Sequence, residues 1–158
     1  MESEDPNYLP ALSLEGGVAK IVVDTNVLFT FFFKNSVAQK ILPKRVFDFC
    51  SPVYALEEIN SYRPEIEKKA RISADAFAKL REELALFVEF VPFEEYSAYM
   101  KEATDIPDKN DIDFIALALK TGCPLWSNDK ELKKQSLVEI LTTDEFIVKY
   151  LYGSYPDI

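Results

Sequence analysis

Four acidic residues, Asp24, Glu58, Asp111 and Asp129, stand where a carboxylate can act on a ligand. Asp24 closes the apolar run AKIVV, and Asp129 follows the short apolar segment Pro124, Leu125 and Trp126. Glu58 lies in the helical stretch after a second apolar run, and Asp111 opens the helical pattern that leads into the Pro124 segment. No two are neighbours in sequence, yet parallel strands present their carboxyl ends along one edge, where open α/β sheets bind ligands. Carboxylates gathered there repel one another and need cations or protons beside them. An oxygen-only donor set selects hard ions, so Mg²⁺ or Mn²⁺ is expected. Such an ion orients a water, lowers its pKa and neutralises charge on an attacked phosphate. Each acid also has an ordinary use. Asp24, Asp111 and Asp129 can serve helix N-termini, and Glu58 with Glu57 can form a solvated helix pair.

What the chain lacks narrows the chemistry further. It has no histidine, so imidazole acid–base catalysis is excluded, and its two cysteines, Cys50 and Cys123, form no CxxC unit. A structural zinc site is not expected, and both cysteines read as free thiols in apolar surroundings. Eighteen Lys and Arg face 27 Asp and Glu, for a net charge of −9. That balance argues against a surface that holds a long polyanion by counterion release. A nucleic-acid enzyme stays compatible with it, because bound divalent ions cancel carboxylate charge where a phosphate sits, but a local basic patch would still be needed.

The elements that must position these acids follow from the hydrophobic pattern. Strands are predicted at 19–23, 46–50, 87–91, 124–126 and 138–141, with helical patterns between them. Ser51 reads as an N-cap with Pro52 in the first helical turn. Residues 94–104 read as a helix, and Gly122 as the C-cap of the helix after Asp111. Pro64 opens a helix with Ile66, Ala70, Ser73, Phe77 and Leu80 at helical spacing. This helix and the one before it, two long helices, are expected to form an arm standing out from the sheet. Strands alternating with helices predict an α/β fold, a three-layer α/β/α sandwich around a mostly parallel five-stranded sheet. Residues 1–17 read as a flexible N-terminal arm and 18–158 as a single domain. No stretch at the amino terminus reads as a signal peptide or a bilayer span, so no membrane association and a cytoplasmic location are expected.

With these residues in order, the runs VVDTNVLFTFF, SPVYALEEI and DKNDIDFIALALKTGCPLWSND resemble the PIN-domain family from about residue 19 to 141. The resemblance implies a compact 5′-nuclease-like fold. It also implies a Mg²⁺- or Mn²⁺-dependent endoribonuclease, of the kind that includes toxins of toxin–antitoxin pairs. On it, Asp24 with Thr25 and Asn26 matches the first acidic motif. Glu58 before Ile59 matches the second, with Glu57 as the one-residue alternative. Asp111 matches the third, ahead of ALALKTG, with Asp108 and Asp113 as supporting acids. Ser127, Asn128 and Asp129 match the last, Ser127 being placed to hydrogen-bond a carboxylate or a water. The implied catalytic and metal-binding set is Asp24, Glu58, Asp111 and Asp129.

Basic residues on the helical arm, Arg63, Lys68, Lys69, Arg71, Lys79 and Arg81, are the candidates for holding RNA. Lys130, Lys133 and Lys134 stand close behind Asp129. An ordinary mixed-charge helix surface is the alternative for all of them. Tyr62 or Tyr54 could stack on a base. Phe29, Phe31, Phe32 and Phe33 exceed what one helix face buries, so either a homodimer interface or an enlarged core must take them. An antitoxin or other protein partner is compatible with the toxin-like resemblance. A PIN-like RNA- or protein-binding module without catalysis is the second functional reading. A phosphatase or receiver-like domain is a third, lacking a clear lysine partner for a phosphorylated aspartate.

Overall fold

A computed structural model of the chain describes residues 19–105 and 111–152. The N-terminal arm and Asp108 lie outside the described residues. β1 (Ala19–Val23) ends at Asp24, and apart from Lys20 every residue in it is buried. Successive strand side chains point to opposite faces, so burial of Ile21, Val22 and Val23 alike means that both faces of the sheet are covered. β2 (Phe47–Pro52), β3 (Val88–Val91), β4 (Leu125–Trp126) and β5 (Ile140–Leu141) complete a parallel sheet in the order β3-β2-β1-β4-β5. The order reverses direction at β1, between β2 and β4. That switch point opens the crevice above Asp24.

Helices fill the connections: α1 (Thr25–Thr30), α2 (Val37–Ile41), α3 (Val53–Ser61), α4 (Arg63–Ala70), α5 (Ala74–Phe87), α6 (Phe93–Tyr96), α7 (Ile112–Thr121) and α8 (Thr143–Phe146). α7 buries five consecutive residues, Phe114 to Ala118, and stops at Gly122, whose φ of +68° is the left-handed conformation that favours glycine. Trp126 stacks on Phe146 with ring centroids 4.4 Å apart and donates its indole N–H to Thr143 Oγ1. Phe47 and Phe49 close the same aromatic cluster. Burying each such side chain is worth roughly 1.5–3 kcal/mol.

Several local expectations are corrected. Ser51 and Pro52 belong to β2, and Pro52 is the N-cap of α3. The Ser51 hydroxyl donates across the sheet to the Val23 carbonyl at 2.8 Å, which keeps the residue extended instead of capping a helix. Residues 94–104 do not form one helix. α6 gives way to 3₁₀ turns at Ser97–Tyr99 and Glu102–Asp105, and all three pieces pack against α7.

The stretch that Pro64 opens is two helices, α4 and α5, not one continuous helix. Arg71 takes a left-handed conformation (φ 58°), and the Ser73 hydroxyl accepts from Ala76 N–H to start α5. Nor does the arm simply stand out from the sheet, because Phe77 is fully buried and stacks on Phe32 at 4.7 Å. Phe87 at the end of α5 meets Phe31 edge-on. Phe29 packs against Tyr62, and Phe33 is half-buried. An enlarged core therefore takes the phenylalanine surplus, which no longer calls for a second copy.

Candidate functional site

The amide N–H of Asp24 donates to the Trp126 carbonyl, which ties the end of β1 to β4. The Asp24 carbonyl accepts from Val27 and Leu28 N–H and so starts α1. Asp24 is only 5% exposed, and its side chain accepts from donors drawn from two segments. Oδ1 accepts from Thr25 N–H at 2.7 Å, and Oδ2 accepts from the Ser127 hydroxyl at 2.6 Å and the Asn26 amide at 3.2 Å. Ser127, fully buried, also accepts from the Asp129 amide N–H at 3.0 Å. One hydroxyl thus links the first and last acids, which are 105 residues apart in sequence.

Thr25 performs the same service on the other side. Its hydroxyl donates to Glu58 Oε1 at 2.6 Å, fixing the α3 carboxylate relative to α1. Asn26 accepts from the Asn128 N–H, and Asn128 in turn accepts from Thr143 N–H at 2.8 Å. Asp129 begins the 3₁₀ turn Lys130–Lys134 by accepting from Glu131 N–H. It therefore has a capping role as well as a place at the cleft.

These segments surround a cleft of about 240 Å³. Asp24, Glu58, Asp111 and Asp129 all line it, together with Thr25 and Asn26. Its remaining wall is aromatic: Phe29, Tyr62 and Phe114. Among the described residues no lysine or arginine lines it. Of the two adjacent glutamates, Glu58 faces the cleft while Glu57 is exposed outside it. Asp113 turns elsewhere and accepts a hydrogen bond from the hydroxyl of buried Tyr96. Burial, and then that bond, push the Tyr96 phenol well above its usual range, so it stays a donor at ordinary pH. No sequence pattern marked Tyr96 as the partner of Asp113. Burial of a tyrosine, which calls for a hydroxyl partner, is the signal that would have found it.

The donor set suits a hard cation. Four carboxylates share one cleft with no cationic side chain among the described lining residues, an arrangement whose repulsion a divalent ion relieves. Among the described residues no three acidic side chains are close enough to grip one ion as they stand. Mg²⁺ does not require that, because it keeps several waters and is commonly held by one or two carboxylates.

The basic candidates divide. Arg63 is engaged inside the arm: it pairs with Glu67 at 2.6 Å, donates to the Ala74 carbonyl and covers the Phe77 ring. Arg81 donates to Asn60 across the arm. Lys133 and Lys134 pair with Glu145 and Glu131. Lys68, Lys69, Arg71, Lys79 and Lys130 are exposed. Cys50 is a free, buried thiol, and its burial pushes its pKa up to about 12. Cys123 is free and half-buried.

A family model described as PIN domain matches residues 22–149. No curated protein matches the chain. Among solved structures, the chain is similar to the crystal structure of VapBC2 from Rickettsia felis bound to a DNA fragment from their promoter. The TM-score is 0.61 at 13% identity, covering 78% of this chain and 98% of that one. At that identity the likeness is one of fold.

Proposed function

The chain belongs to the PIN-domain family, and on that premise we propose that it is a divalent-metal-dependent endoribonuclease that hydrolyses RNA phosphodiester bonds. The observation that carries this reading is the single cleft lined by Asp24, Glu58, Asp111 and Asp129 at the switch point of the sheet. These four residues would hold Mg²⁺ or Mn²⁺. When bound, the ion supplies a more acidic water as nucleophile and offsets charge on the attacked phosphate.

The chain's own residues do the rest. Ser127 and Asn26 hold the Asp24 carboxylate in one orientation, and Thr25 does so for Glu58. Outer partners of this kind fix ligand geometry before an ion arrives. With no histidine in the chain, general acid–base work falls to these carboxylates and to water. Exposed Lys68, Lys69, Arg71, Lys79 and Lys130 are among the cations available to RNA phosphates.

Purified protein should cleave single-stranded RNA with Mg²⁺ or Mn²⁺, lose activity to a chelator, and regain it on adding metal. Asp24→Asn should remove cleavage. Equal rates with and without chelator, or a D24N rate matching wild type, would refute the assignment.

A binding module without catalysis is the second reading. The aromatic side of the cleft, where Tyr62 is exposed beside half-buried Phe29, would serve such a module, and cleavage restored by metal excludes it. The VapBC2 structure is that of a complex, and a protein partner such as an antitoxin belongs to our reading on that analogy. A homodimer belongs to it as well, although the phenylalanine packing lends it no support. Among the described residues no helix is long and apolar enough to cross a membrane; a cytoplasmic location is part of our proposal.

A further inference from the structure

Six large apolar side chains are exposed among the described residues, and of these only Tyr62 lines the acidic cleft. It is 48% exposed. Its position is set by the helix that carries Glu58, because residues four apart lie on one helix face. Tyr62 N–H donates to the Glu58 carbonyl at 2.9 Å, and the Tyr62 carbonyl accepts from Ile66 N–H as the next helix begins. The ring meets Phe29 in an edge-to-face arrangement, with centroids 5.7 Å apart and planes at 64°. Phe29 thus packs against the ring, which stays 48% exposed where it lines the cleft.

The charge balance says what that ring is for. A chain of net charge −9 whose cleft is lined by no lysine or arginine among the described residues gains little from direct phosphate pairing by those lining residues. Stacking of a base on an aromatic ring is a contribution that does not depend on cations and tolerates any base. A base can reach the ring only if it is unpaired.

Resting on the nuclease reading above, we infer that Tyr62 is a base-binding residue: it stacks on an unpaired nucleobase next to the scissile phosphate and restricts the substrate to single-stranded RNA. Tyr62→Leu should raise KM for a short unpaired oligonucleotide by about 5- to 150-fold, the range that loss of one stacked base implies. The kcat should change much less. Tyr62→Phe and Tyr62→Trp should keep the wild-type KM.

Two further readouts separate stacking from a structural role. An oligonucleotide carrying 2-aminopurine, bound with calcium in place of magnesium, should be quenched by wild type and Y62F but not by Y62L. An abasic substitution at the stacked position should lower wild-type cleavage as Y62L does, and should cost Y62L little more. Unchanged KM and quenching in Y62L would overturn the inference, as would equal loss in Y62F. If wild type cleaves no RNA with any divalent ion, the nuclease reading fails, while the quenching experiment still reports on Tyr62.

Discussion

At the scale of single residues, the site is held by hydroxyls and amides more than by charge. Ser127 binds Asp24 and Asp129, Thr25 binds Glu58, and Asn26 bridges Asp24 to the loop after β4. The two neighbouring glutamates offer the sharpest contrast. Glu58 lines the cleft and accepts from Thr25, whereas Glu57 is exposed. Glu58→Gln should reduce cleavage by more than about 100-fold, since even outer-shell changes around a metal cost ~10- to 100-fold. Glu57→Gln should leave it within about twofold. Initial rates on one RNA under saturating Mg²⁺ decide the point, and equal losses in the two variants would remove Glu58 from the proposed set.

At the scale of elements, the acids are delivered by boundaries. Asp24 sits between β1 and α1, Asp111 is the N-cap of α7, and Asp129 begins a 3₁₀ turn. α7 must therefore start and stop in register for Asp111 to reach the cleft. Gly122 sets the stop at φ +68°, with nothing within 4 Å of where a Cβ would stand. Gly122→Ala should cost about 1–2 kcal/mol through the left-handed backbone alone, without a clash. Urea unfolding followed by circular dichroism measures it. A loss above ~4 kcal/mol would mean that the C-cap does more than end the helix.

At the scale of the whole molecule, a chain with nine excess negative charges gathers four carboxylates in one cleft. Metal binding should relieve that repulsion and stabilise the fold. A divalent ion at a hundred times its Kd adds about 2.7 kcal/mol by mass action. Wild type should melt several degrees higher in millimolar Mn²⁺ than in chelator. D24N should melt at least as high as wild type in chelator and gain far less from Mn²⁺. Differential scanning calorimetry tests both arms, and an identical metal-induced rise in D24N would place the ion elsewhere.

The alternation of apolar runs with helical patterns, the acids at the ends of those runs, and Gly122 were legible from residue types alone. Local chemistry decides them: a β-branched run extends, and a glycine admits the left-handed turn. Three things waited on the tertiary structure. The choice between Glu57 and Glu58 depends on which side of α3 meets Thr25, and the role of Ser51 depends on a carbonyl one strand away. The fate of the phenylalanine surplus depends on α5 folding back to stack Phe77 on Phe32. Each is a contact between residues at least 28 positions apart, and periodicity along one segment holds no information about what that segment will meet.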